Sequence, residues 1–210
     1  MMISFTNGIK QLNMKYLICI LIISSLTICF SQSHIDEVHE FQKELNDEFL
    51  DPKTSPLDEK QIKDFKGHSF FEVNQDYCIK AEFIKSSDIV TFQMKTSTSR
   101  MPTYDKFGIA KFNLKGNQYQ VTLYQSHRLR ESEKYKNYLF LPYSDLTNGF
   151  ESYGGGRYID LTIPDGNEII IDFNKSYAPS CAYNHSYSCP VPPEENHLNV
   201  RIEAGVKNLK

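Results

Sequence analysis

A change of hydrophobic period constrains this chain more than any other feature. From Ser69 onward, apolar residues recur at every second position, and residues suited to tight reversals break the alternation at two places. Alternation at period two puts one face of a strand in a core and leaves the other for solvent or a covering layer. In residues 109–124, Ala110, Phe112 and Leu114 alternate with polar side chains, and Tyr119, Val121 and Leu123 do the same. A two-residue loop at Gly116-Asn117 pairs Leu114 with Tyr119 and Phe112 with Val121, and a glycine-led loop is a favoured hairpin turn. Residues 158–173 reverse at Pro164-Asp165-Gly166, which suits a type I turn followed by a left-handed glycine. That reversal predicts Leu161 opposite Ile169 and Ile159 opposite Ile171. It puts Tyr158, Asp160, Thr162, Glu168, Ile170 and Asp172 on the other face, with Tyr158 facing Asp172 and Asp160 on the diagonal. Residues 77–83 and 89–94 read as a further antiparallel pair. The charged stretch 128–136 has no apolar period and reads as a solvated connection.

Ahead of the strands the period is helical. Between Ser33 and Leu50, the residues Val38, Phe41, Leu45 and Phe49 recur at steps of three and four and form one apolar stripe. Ser33 with Asp36 resembles a capping box. The stripe predicts a helix docked on a sheet; a partner-binding helix is the alternative. Asp51-Pro52 and Ser55-Pro56 end it, and a short second helix is expected around residues 58–65. Strands joined by short turns, without strand–helix alternation, predict a mainly β chain. The expected architecture is an antiparallel β-sandwich or a partly open β-barrel with one or two N-terminal helices. The expected divisions are a signal peptide at 1–31, a helical segment at 32–66 packing on the sheet, and a β domain at 67–210.

Residues 16–30 form an apolar run after Lys15, and 15 residues fall short of the about 20 that a spanning helix needs. The run fits the hydrophobic region of a secretory signal, with Cys29 and Ser31 as small residues ahead of a cut before Gln32. Met14 is the expected start, with the residues before it an upstream extension, and an uncleaved anchor is the alternative fate. Export to the periplasm, the outer membrane or the medium is expected, with no membrane span after signal removal. Loss of 1–31 removes two of the 23 basic residues and none of the 26 acids, moving the net charge from -3 to -5. That balance carries no footprint for nucleic acid, which is not an expected partner.

Export leaves three of the five cysteines: Cys78, Cys181 and Cys189. In an oxidising compartment Cys181 and Cys189 are the expected disulfide, worth on the order of 2.5 kcal/mol in the loop-closure picture. Reduced or redox-active thiols are the alternative. A metal site built from Cys181, His185, Cys189 and His197 does not have zinc-finger spacing, and no metal or other cofactor is expected.

Long motifs occupy the last third. They include Leu139-Phe140-Leu141-Pro142-Tyr143-Ser144-Asp145-Leu146-Thr147-Asn148-Gly149 and Tyr153-Gly154-Gly155-Gly156-Arg157-Tyr158-Ile159-Asp160. Further on come Ile171-Asp172-Phe173-Asn174, Tyr177-Ala178-Pro179-Ser180-Cys181-Ala182-Tyr183 and Cys189-Pro190-Val191-Pro192-Pro193-Glu194-Glu195-Asn196. Together they resemble the bacterial and archaeal domain-of-unknown-function family 1684 (DUF1684), over roughly Phe41 to Lys207. The resemblance implies no activity. At Val206 this chain departs from the family pattern Ala-Gly-Glu-Lys, which has a glutamate there.

Within these motifs, Tyr153 and the glycines 154–156 precede Arg157. Glycines admit close backbone approach, and a guanidinium grips carboxylate or phosphate through two parallel hydrogen bonds. Arg157, Tyr158, Asp160 and Asp172, with Tyr153, Gly154, Gly155, Gly156 and Asp145, are therefore the candidate site for a small polar or anionic ligand. The competing reading is a bulged strand entry with Arg157 paired to Asp145 or Asp160. Asp160 and Asp172, or Cys181, are the groups a hydrolase would use. A structural envelope module without a ligand is the third reading.

Overall fold

A computed structural model describes residues 32–208. The signal-peptide segment, with Met14, Cys19 and Cys29, lies outside the described residues. By internal contacts the chain divides into Met1–Glu40 and Phe41–Lys210. In the first unit, residues 32–40 are helical throughout, and Gln32 donates to Asp36 Oδ1 at 3.0 Å. Gln32 is already helical, so Ser33 is inside the helix and not its cap.

The second unit opens with helix α1 (residues 41–50), as the apolar stripe predicts. Leu45 and Phe49 are buried in a cluster with Ala178 and Val206. Helix α2 (Glu59–Asp64) follows, and the capping box is here: Asp58 Oδ1 accepts from the Gln61 amide at 2.8 Å, and Gln61 Oε1 accepts from the Asp58 amide at 2.9 Å.

Seven strands then form one curled, half-barrel sheet, mainly antiparallel. They are β1 (Cys78–Gln93), β2 (Thr103–Leu114), β3 (Asn117–Ser126), β4 (Tyr138–Asp145), β5 (Arg157–Thr162), β6 (Glu168–Asp172) and β7 (His197–Leu198). The order is β5-β4-β3-β2-β1-β6, with β7 parallel to β4 at its side. The inward side chains of β1 to β6 make the main core, which includes Ile79, Ala81, Phe83, Ala110, Phe112, Val121, Leu123, Leu139, Leu141, Ile159 and Ile171. A four-residue helix α3 (His127–Arg130) follows β3 and is capped by Ser126. The rest of the charged stretch, 131–136, is exposed as expected. Among the described residues no helix is long and apolar enough to cross a membrane.

Three expectations about the strands change. Residues 77–83 and 89–94 are not a hairpin: all but Tyr77 and Met94 belong to one 16-residue strand, β1, with a register shift between Lys85 and Val90 against β2. A bulge absorbs the misfit that looked like a turn. The β2–β3 hairpin exists, but its turn is Lys115-Gly116, so Phe112 pairs with Tyr119 and Ala110 with Val121. Both turn residues have positive φ, 51° and 79°, the type I′ conformation that matches strand twist. The turn moved by one residue, so each partner moved by two and the buried face was kept.

The third change is larger. Residues 158–173 are not a two-stranded ladder: Ile159 pairs with Leu141 and Leu161 with Leu139, whereas Ile169 pairs with Ala81 and Ile171 with Ile79. The reversal at 163–167 joins the two end strands of the sheet. Its own amide and carbonyl groups bond to their separate neighbours, Ile163 N to Asn137 O and Phe83 N to Asn167 O, both at 2.8 Å. Both segments still turn aliphatic residues inward, which is the pattern the sequence displays.

Two further segments complete the unit. Leu198, Val200, Ile202 and Ala204 run into the main core. On the opposite face of the sheet, Tyr104, Tyr124, Phe140 and Tyr158 form an aromatic layer with Met94, Cys181 and Cys189.

Candidate functional site

Arg157 begins β5 on its inward face and is fully buried. It donates to Asp145 Oδ2 at 2.5 Å, to the Ile202 carbonyl at 2.8 Å and to the Ala204 carbonyl. Asp145, at the end of β4, is equally buried, and its other oxygen accepts from the Thr147 amide at 2.6 Å. The rings of Phe71 and Tyr143 lie over the guanidinium at 5.9 and 5.3 Å. Burial pushes the Tyr143 phenol up to about 12. Arg157 is thus spent on the chain itself, as the pairing with Asp145 anticipated, and it ties the C-terminal segment to β4 and β5.

The glycines ahead of it serve the same packing. Gly156 has φ 89°, and a Cβ there would meet Pro192 at 2.5 Å and the Tyr143 carbonyl at 2.7 Å. A Cβ on Gly155 would meet the Tyr153 ring at 2.5 Å, while Gly154 packs beside Gly149. The close backbone approach that suggested a ligand is made by the protein's own chain.

The other candidates point elsewhere. Tyr158 and Asp160 face outward from β5. The Tyr158 hydroxyl donates to the Pro190 carbonyl, and its ring meets Phe140 edge-on at 4.8 Å. Asp160 is exposed and accepts from both Tyr138 and Tyr177 at 2.7 Å. Burial, and then the nearby Asp160 carboxylate, hold both phenols well above their usual range. Asp172 ends β6 opposite Cys78 and accepts from the Asn174 amide at 3.0 Å and side chain at 2.8 Å. Tyr158, Asp160 and Asp172 are therefore not cross-strand neighbours, and Arg157, Asp160 and Asp172 share no hollow.

Cys181 and Cys189 are unbridged thiols, both buried, with the Cys181 amide donating to Cys189 Sγ at 3.1 Å. The Tyr153 hydroxyl is 4.0 Å from Cys181 Sγ. Cys181, His185, Cys189 and His197 do not gather their ligand atoms; His197 instead meets the Ser144 hydroxyl at 3.0 Å.

Two arrangements escaped the sequence reading. Asn196 is fully buried where β3 and β4 share a single paired position. Its side chain accepts from the Thr122 amide at 2.7 Å and donates to the carbonyls of Thr122 and Pro142 at 2.9 and 2.8 Å. The other arrangement is an open cleft of about 500 Å³ at the start of β2 and the end of β3, lined by Arg100, Tyr104, Ser126, His127, Arg128 and Pro190, with Glu131 the acid on its edge. Burial raises the Tyr104 phenol, and Arg100 and Arg128 pull it down, so both guanidinium groups act on this space. Next to the cleft, buried Asp105 accepts from Thr91 at 2.5 Å, His127 at 2.7 Å and Arg130 at 2.5 Å. Burial works against its ionisation, but those bonds outweigh it and hold the carboxyl below the usual range. Arg128 comes from the stretch read as a solvated connection, and Arg100 and His127 lie in no motif the sequence singled out; only their convergence in space marks them.

The model of a family described as "Protein of unknown function (DUF1684)" matches residues 63–207, so the match begins later than the resemblance from Phe41 suggested. No curated protein matches the chain. A solution NMR structure of an uncharacterised protein of Haloarcula marismortui, from gene locus rrnAC0354, is 30% identical, with a TM-score of 0.66 over 84% of this chain and 95% of that one.

Proposed function

The chain belongs to the DUF1684 family of proteins of unknown function, and from that premise we propose that it is an exported half-barrel protein that binds a small anionic molecule in the Arg100–Arg128 cleft. The observation that carries this reading is the cleft itself: two guanidinium groups, an imidazole and three hydroxyl-bearing side chains, Thr103, Tyr104 and Ser126, around about 500 Å³ of open space. Guanidinium groups suit carboxylate and phosphate, and the hydroxyls can orient the rest of a small polar ligand. Arg100 is already held, donating to Ser188 Oγ at 3.1 Å and to the Ser188 carbonyl at 2.6 Å. A held cation loses less side-chain freedom on binding than a mobile one. The export part of the reading rests on the apolar run 16–30.

The test is a thermal-shift series at low ionic strength with inorganic phosphate, citrate and glucose. Phosphate or citrate at a large excess over its dissociation constant is expected to raise Tm by several degrees, and glucose by none. Arg128→Ala removes the response while leaving Tm without ligand nearly unchanged, because Arg128 is exposed. Absence of any shift favours instead a structural module, for which the sealed Arg157–Asp145 pair is the supporting observation. The mass of the product secreted from cells expressing the full chain checks export: a chain beginning at Gln32 is expected.

A further inference from the structure

Cys181 and Cys189 stand at the two ends of a strap that is anchored beside them, by Tyr183 against Phe49 and His68 and by Ser188 on Thr96 and Arg100, and sparsely tied in its middle. Between them, residues 184–187 bond mainly among themselves, Tyr187 N to Asn184 O at 3.1 Å and Ser186 N to Asn184 Oδ1 at 3.0 Å. Their ties to the rest of the unit are Asn184 Nδ2 to the Pro56 carbonyl at 3.0 Å and Ser97 Oγ to the Tyr187 carbonyl at 3.1 Å. The strap's two roots, in contrast, are fixed. Ala182 N bonds to Pro179 O at 2.8 Å, while at the other root Ser97 N bonds to Cys189 O and Val191 N to Lys95 O, both at 2.8 Å. The fixed roots bring the Cys181 amide to 3.1 Å from Cys189 Sγ, inside the aromatic layer with Phe140 and Tyr158.

We propose that Cys181 and Cys189 are an oxidisable pair that closes into a disulfide and clasps this strap against the aromatic layer. The oxidant is an external disulfide, small-molecule or protein-borne. A thiolate of one cysteine attacks a sulfur of that disulfide and expels one thiolate, leaving a mixed disulfide. The thiolate of the other cysteine attacks the protein-bound sulfur, forms the Cys181–Cys189 bond and expels the second thiolate. The protein gives up two protons and two electrons, and the external disulfide is reduced to two thiols. Both cysteines are less than a tenth exposed, and burial raises the Cys189 thiol to about 12. Exchange therefore proceeds while the strap is open, before its roots seat, and the seated bond is shielded from reductants. Beside Cys189 are Ser188, which holds Arg100, and Pro190, which lines the cleft. An effect of the clasp on anion binding rests on the function proposed above; the bond itself does not.

The experiment refolds the protein in oxidised glutathione, alkylates remaining thiols in denaturant and maps the digest by mass spectrometry. The expected result is a peptide pair joining Cys181 to Cys189, about 2 Da lighter than the reduced pair, with Cys78 alkylated. Reduction is expected to lower Tm by roughly 5–10 °C, and Cys181→Ala, which keeps a small apolar side chain, abolishes that difference. Full alkylation of Cys181 and Cys189, or a bridge from either to Cys78, overturns the proposal. The phosphate shift measured on both forms separates the two ideas: a bridge without any phosphate response defeats the cleft reading alone, and a phosphate response without a bridge defeats the clasp alone.

Discussion

Arg157 shows how one side chain can look like a binding group and act as a tie. An arginine after three glycines has the chemistry of an anion grip, but its acceptors are Asp145, 12 residues earlier, and two carbonyls 45 and 47 residues later. Pairing with Asp145 was among the readings open from sequence; the two carbonyls were not, because they depend on where the C-terminal segment lies. Removing one partner of a buried pair leaves the other charge uncompensated and costs about 3–5 kcal/mol. Arg157→Ala is therefore expected to lose that much in urea unfolding, and a loss under about 1 kcal/mol would contradict the role of the tie. His68 makes a second residue-level prediction. Its ring packs among Phe49, Phe65, Phe70 and Tyr183, with Nδ1 2.7 Å from Asn46 Oδ1, and burial lowers its pKa to about 4. Between pH 6.5 and 4 the unfolded chain takes a proton there and the folded chain does not, so stability falls as pH falls through that window. The loss is on the order of 3 kcal/mol by pH 4 and stops growing below it. His68→Gln cannot titrate, so comparing its unfolding free energy with that of the parent at pH 7 and pH 4 isolates the effect.

At the scale of the element, the alternation of apolar residues was legible and the pairing was not. The inward residues of β2, β3, β5 and β6 are those the period picks out, because a side chain's face depends only on its own strand. Which strand lies alongside depends on the whole sheet: the same inward faces of residues 159–161 and 169–171 serve a local hairpin or two distant edges equally well. Turn chemistry decides the finer register, and Lys115-Gly116 is the turn because the type I′ form needs two positive φ values in a row. Gly116→Ala meets no atoms and incurs only the left-handed backbone penalty, about 1–2 kcal/mol. Gly156→Ala has the same penalty plus clashes with Pro192 and the Tyr143 carbonyl, so it is expected to cost more and to expose the strap to limited proteolysis, which Gly116→Ala does not. Asn196 completes this scale: its amide supplies the ladder bonds that β3 and β4 lack. Asn196→Ala is expected to lose about 2–4 kcal/mol in urea unfolding by leaving Thr122 and Pro142 groups unpaired.

For the whole second unit, the motifs that define the family resemblance turn out to be mutual supports. Asp145, Arg157 and Gly156 bind one another's neighbourhoods to the C-terminal segment, Tyr158 and Tyr177 exchange backbone bonds at 2.9 and 3.0 Å, and Asn174 bridges Asp172 and the Asn74 carbonyl. Long motifs of this kind mark a demanding closure as readily as a reaction, which is why they located the candidate residues without locating an open site. A half-barrel has two free edges and an interior that must be covered, and here the end of β7 and the chain after it supply part of the cover: Leu198, Val200 and Ile202 are each less than a tenth exposed. Burying three such side chains is worth roughly 5–9 kcal/mol, comparable with the whole stability of an ordinary domain, about 5–15 kcal/mol. Truncation after His197 removes all three and also strips Arg157 of its two carbonyl acceptors. The truncated chain is expected to lose its cooperative urea transition, whereas Arg157→Ala in the full chain keeps one at lower denaturant concentration. If the truncated chain unfolds as cooperatively as the parent, the interior is closed by the strands alone, and the C-terminal segment is a passenger on a barrel that does not need it.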